Sequence, residues 1–330
     1  MSQQFAVSPP PARSSALLPA APAQRAGLPA DACPRWLAKG WLTVAGALLR
    51  TAAVGLGTGL FSLLAILGLK AVGLWPGLTG AVFEGRGSQI LLSQLLLATA
   101  ALGVYLLVSH YLDVRTRLVE LRFAKGLPLA AGLAGGTLAL LTSAAIVWAL
   151  GGYSFSPGTG QALQVVGYML VVGVGAGVAE EVIFRGALLR SLEDVFGTWT
   201  AVLVSGLLFG LVHAGNPNAT WWSSLAIGLE AGMLLGLLYV ATRSLWLVIA
   251  FHAAWNIVQG PILGIPVSGT PVGPSLLLTE SHGSLWLTGG SFGIEASVVT
   301  VLLLGAVSVA LVFEVRRRDQ HVAPLWRRRR

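Results

Sequence analysis

Charge is scarce in this chain, and cysteine is all but missing. Only 10% of the 330 residues are charged, against about 25% in an ordinary soluble domain. A mean hydropathy of +0.77 leaves too few polar side chains to coat a water-soluble fold of this length, so lipid must do part of the coating. The single cysteine, Cys33, excludes both an intrachain disulfide and a cysteine-based zinc site. Residues 1–38 lack a continuous apolar region of signal-peptide type; they are rich in Pro, Ala, Ser and Gln and read as a disordered tail.

What is abundant is apolar sequence, 55% of the chain. Windows of about 20 apolar residues fall at 44–69, 90–110, 128–150, 163–192, 199–213, 220–241, 245–260 and 296–315. The reading is an all-α, polytopic membrane protein of about eight transmembrane helices. The fifth and seventh windows are short, as expected of helices that end inside the protein or line a cavity.

The net charge of +8 does not point to nucleic acid, because the basic residues sit between the apolar runs and crowd the C-terminus, at Arg316–Arg318 and Arg327–Arg330. With both termini on the cytoplasmic side, 19 of the 21 Lys and Arg fall on inner segments and only Lys70 and Arg86 fall outside. Trp75, Trp148, Trp199, Trp221, Trp222 and Trp246 mark span ends, as an aromatic belt would. Glycines at four-residue spacing, such as Gly55/Gly59, Gly132/Gly136, Gly206/Gly210 and Gly228/Gly232, predict close helix packing.

An ionisable side chain at membrane depth is costly and is a functional candidate by default. The fourth window holds Glu180-Glu181-Val182-Ile183-Phe184-Arg185. Glu181 and Arg185 are one turn apart and can form an ion pair, while Glu180 projects about 100° away. The pattern predicts a division of labour in which Arg185 neutralises Glu181 and Glu180 faces a polar cavity as a general base. An ion pair that only locks helix packing is the plainer reading.

Two histidines lie in later windows. His213 ends Phe209-Gly210-Leu211-Val212-His213, and His252 shares a helix face with Asn256, four residues on. A lone membrane histidine is more often a packed hydrogen-bonding residue than a catalyst, but two polar groups on one face need a partner or a wet cavity. Together these side chains supply a base, an imidazole and donors for an oxyanion, the parts of a hydrolytic site. Glu180, His213 and His252 are also one carboxylate and two histidines, a set that zinc and several other divalent ions accept, and spacing does not decide between the two.

The order Glu-Glu-x-x-x-Arg, Phe-x-x-x-His, His-x-x-x-Asn on successive apolar segments resembles the CAAX-protease and bacteriocin-processing (CPBP, or Abi) family of intramembrane proteases, over about residues 162–260. The resemblance implies that Glu180 and His213 activate the attacking water, that His252 and Asn256 stabilise the oxyanion, and that Glu181 and Arg185 support them. It implies peptide-bond cleavage in a membrane-anchored protein or peptide. A glutamate-activated water needs no cofactor, and that is the reading taken here, although the family was long described as metal-dependent.

The expected organisation is a cytoplasmic tail at 1–40, N-terminal transmembrane helices at 41–160, the protease core at 161–260, and an extracytoplasmic loop, last helix and basic tail at 261–330, in a bacterial cytoplasmic membrane. A family member without turnover, acting in immunity or as a scaffold, is the first rival; the intact motif set argues against it. An ion-coupled transporter is the second, and it predicts a repeat relating the two halves that the sequence lacks. Two features strain the scheme. Glu230, in the middle of the sixth window, has no assigned role, and counting about 1.5 Å per residue from the inner end puts His252 at about 10 Å and His213 at about 22 Å.

Overall fold

The computed structural model describes residues 44–72, 86–112, 118–158 and 160–327. The N-terminal tail with Cys33, and Trp75, Arg115, Arg117 and Arg328–Arg330, lie outside the described residues.

Long helices form where the apolar windows predict them: α1 (Val44–Ala71), α2 (Arg86–Leu107), α3 (Leu127–Ala149), α4 (Ala162–Phe196), α5 (Thr198–His213), α6 (Trp221–Thr242), α7 (Leu245–Ile262) and α8 (Val298–Arg317). Seven are long and apolar enough to cross a membrane, and α5, with 16 residues, is the shorter exception. At 1.5 Å per residue α5 is about 24 Å long, less than the ~30 Å hydrocarbon core. The chain is an integral membrane protein in which α5 is a shorter helix packed within the bundle.

Local chemistry sets the breaks. Gly197, at φ 79°, is the one-residue link between α4 and α5. The Thr220 hydroxyl accepts from the Ser223 N–H and Ser244 from the Leu247 N–H, capping α6 and α7. Arg243, in the left-handed region at φ 55°, reverses the chain between them.

The glycine pairs divide into two kinds. A methyl group on Gly132 or Gly136 would sit 2.2 Å from the backbone carbonyl of Leu247 or Phe251, so α3 lies directly on α7. One on Gly210 would sit 2.2 Å from the Ser224 carbonyl, and one on Gly232 2.6 Å from that of Gly206, so α5 and α6 touch through their backbones. Among the described residues nothing lies within 4 Å of a methyl group built on Gly55 or Gly59, and the close packing expected there is absent among them.

Two features lie beyond the helical reading. A short antiparallel pair, β1 (Tyr153–Pro157) and β2 (Leu277–Ser281), joins the α3–α4 loop to the α7–α8 loop in the register Tyr153↔Ser281 to Pro157↔Leu277. The α7–α8 segment is built rather than loose: Asn216 and Asn218 donate to the carbonyls of Ser268 and Gly269 at 2.9 and 3.0 Å, and the Trp222 indole N–H donates to Ala296 at 2.8 Å. At the opposite end, Arg243 holds buried Glu193 through two bonds of 2.8 and 2.9 Å, and Thr198 exchanges hydrogen bonds with Val322.

Candidate active site

Three helices bring the motif residues to one place. Glu180 and His213 face each other with Oε2 and Nε2 3.8 Å apart. His213 Nδ1 lies 2.7 Å from the Phe209 carbonyl. A carbonyl can only accept, so the neutral ring carries its proton on Nδ1 and turns the Nε2 lone pair toward Glu180. Glu180 Oε2 is itself buried and has no hydrogen-bond donor. Two acceptors facing one another across a gap call for a donor with two protons.

Glu181 points the other way and is fully buried. Its Oε1 accepts from Arg185 at 2.7 Å and from His252 Nδ1 at 2.9 Å. Arg185, also buried, extends past Glu181 to the carbonyls of Ala231 and Gly232 at 3.0 and 2.9 Å, with its guanidinium 4.7 Å from the centre of the Phe209 ring. One side chain thus ties α4 to α6, while Glu181 ties α4 to α7. Two wide, π-type turns, Leu170–Gly175 in α4 and Gly228–Met233 in α6, leave carbonyls open to side-chain donors, and Arg185 uses the second. The Asn256 amide uses the first of these, donating to Val172 at 2.8 Å.

The depth mismatch between the two histidines is resolved by packing. The Phe209 ring lies 4.6 Å from His213 and 6.3 Å from His252, centre to centre. Both α5 and α7 begin where the sequence puts them, so helix placement rather than a shifted start brings the rings together.

Glu180, His213, His252 and Asn256 all line a cavity of about 470 Å³, whereas Glu181 and Arg185 lie behind its wall. The cavity extends beyond the fourth, fifth and seventh helices expected from the motifs. Gln94 of α2, Glu230 of α6 and the segment around Ser268 complete it. His252 and Asn256 do not share a partner; each has its own. Among the described residues no three His, Cys, Asp or Glu side chains, Glu180, His213 and His252 included, are grouped closely enough to hold a metal ion.

One cavity residue escaped the motif reading. Glu295, just before α8, is buried and accepts from Gln259 Nε2 at 2.8 Å and from the Ser268 backbone N–H and hydroxyl at 3.0 and 2.9 Å. Burial pushes its carboxyl up from the usual range, against those donors, which favour the charged form. The only sequence signal was an acid in Phe292-Gly293-Ile294-Glu295-Ala296 at the mouth of an apolar run.

Residues 162–258 match the family model of type II CAAX prenyl endopeptidase Rce1-like proteins. A curated protein of Bacillus subtilis (strain 168), named "Putative membrane peptidase YdiL", is 28% identical over 95 residues, which cover 28% of this chain and 36% of that protein. The chain therefore spans about a third of the length of the curated relative it matches. The stretch that holds Glu180, Glu181, Arg185, His213, His252 and Asn256 is the stretch matched, and over it the chain is similar to the CAAX-protease family of membrane proteins.

Proposed function

We propose that this protein is an intramembrane endopeptidase that hydrolyses a peptide bond of a membrane-anchored protein or peptide with a water activated by Glu180 and His213. The observation that carries the reading is the Glu180–His213 gap: two acceptor atoms 3.8 Å apart, one of them buried without a donor, on the wall of a cavity. A water placed beside both donates one proton to each and turns its lone pair outward to a substrate carbonyl. Glu180 takes the proton as the C–O bond forms and returns it to the amine as the C–N bond breaks.

The oxyanion falls to His252 and Asn256. Asn256 keeps one amide N–H beyond its bond to Val172. His252 donates Nδ1–H to Glu181, so a donor on the cavity side requires the imidazolium, with Glu181 as its counterion. Arg185 and Glu181 act through these residues and are positioning groups. No step needs a third protein ligand or a metal.

The basic end of the bundle, with Arg50, Arg190, Arg243 and Arg316–Arg318, is read as cytoplasmic, following the charge asymmetry. The test is cleavage of a membrane-tethered reporter by purified protein, comparing wild type with Glu180→Gln and His213→Ala. Losing the base is expected to lower kcat by about 100-fold or more. Variants that cleave as fast as wild type would overturn the assignment. A chelator arm that leaves activity unchanged supports the glutamate mechanism.

A further inference from the structure

Glu230 is not used by the hydrolytic site, yet the fold holds it there. It sits on the wide turn Gly228–Met233 of α6, whose carbonyls at 231 and 232 are gripped by Arg185. It is 2% exposed and lines the cavity shared by Glu180 and His213. Its Oε1 is buried without a hydrogen-bond partner.

The other buried glutamates among the described residues are provided for. Glu181 has Arg185 and His252, Glu193 has Arg243 and Thr198, Glu120 has the Tyr105 hydroxyl, and Glu295 has Gln259 and Ser268. Glu230 has neither a donor nor a cation. A carboxylate kept in a buried wall without a donor is costly. Glu295 lies within electrostatic range on the same cavity, and among the described residues no Lys or Arg lines it. The wall thus carries three carboxyl groups, Glu180, Glu230 and Glu295, and supplies no Lys or Arg to pair with them.

We propose that Glu230, backed by Glu295, is a subsite for a cationic side chain, Lys or Arg, of the peptide substrate close to the scissile bond. The inference rests on the proteolytic reading and names its substrate class. A Lys or Arg entering the cavity supplies the missing donors and forms charge-assisted hydrogen bonds with Glu230. A neutral residue of the same size leaves the carboxylate unpaired, and an acidic one meets like charge, so discrimination works through both attraction and rejection.

The test uses membrane-tethered reporters that differ by a single Lys, Gln or Glu, scanned through the positions flanking the cleavage site. At one position wild type is expected to favour Lys over Gln by about tenfold or more in kcat/KM, the scale of a charge-assisted bond. Glu230→Gln is expected to bring that ratio toward one, and Glu230→Asp, which keeps the charge, to retain the preference. Wild type with no preference for Lys at any flanking position overturns the proposal and needs no variant. A ratio unchanged in Glu230→Gln overturns it too, and points instead to a proton shared between Glu230 and Glu295.

Binding of fluorescent Lys and Gln peptides to Glu180→Gln separates this proposal from the proteolytic one. If no reporter is cleaved, proteolysis fails, and a tighter Kd for the Lys peptide that Glu230→Gln abolishes still supports the subsite; equal Kd values overturn it.

Discussion

Replacing Arg185 with methionine removes the only permanent cation bonded to Glu181 and leaves the packed volume almost unchanged. The guanidinium makes one bond to Glu181 and two to the carbonyls of Ala231 and Gly232, all between 2.7 and 3.0 Å. Breaking a buried ion pair from one side costs about 3–5 kcal/mol, because the remaining charge is stranded. Each carbonyl left without its donor adds about 1 kcal/mol or more. A total loss of about 5 kcal/mol or more is expected for Arg185→Met. It is read from denaturant unfolding of the purified protein in detergent micelles, followed by tryptophan fluorescence. The pair Glu181→Gln with Arg185→Met removes both members of the ion pair and is expected to be milder than Arg185→Met alone, with a coupling of about 1–3 kcal/mol. Arg185→Lys keeps the charge but lacks the planar fork that reaches both Glu181 and α6, and falls between. If Arg185→Met unfolds within about 1 kcal/mol of wild type, or the double variant is no milder, Arg185 does not hold α4, α6 and α7 together.

Two further outcomes follow from the packing. Gly210→Ala drives a methyl group to 2.2 Å from the Ser224 carbonyl and is expected to destabilise by about 1–3 kcal/mol or more, and to lower cleavage because His213 and Glu230 lie at that crossing. Gly55→Ala meets nothing within 4 Å among the described residues and is expected to be neutral or stabilising by up to about 1 kcal/mol in the same unfolding assay. For Glu295, burial raises the folded carboxyl above its value of 4.5 in the unfolded chain, so its contribution is fully present below that value and is lost as pH rises through the folded one. A Tm profile that falls with rising pH more steeply in wild type than in Glu295→Gln is expected; parallel profiles would contradict it.

Much of this protein was legible in one dimension. Scarce charge and long apolar runs define a membrane solvent, and helix boundaries follow from them within a few residues because a span has to cross a fixed thickness. Glu181 and Arg185 meet because residues four apart on a helix are neighbours, a relation that needs no tertiary information. Which glycines bring helices together was not legible: Gly55/Gly59 and Gly132/Gly136 share a spacing, and only the presence of a neighbouring backbone separates them. The partners of His252 and Asn256, 71 and 84 residues away, were likewise invisible, since spacing within a helix fixes a face and not what that face meets. Glu295 lies beyond any motif and reaches the cavity because Gln259 and Ser268 fold the α7–α8 segment around it. The sequence by itself determined the solvent, the helices and a buried pair of glutamates. The tertiary structure decided what Glu180 meets in the cavity, His213 at 3.8 Å with Glu230 and Glu295 on the same wall, because that depends on how α4 is turned against α5, α6 and α7.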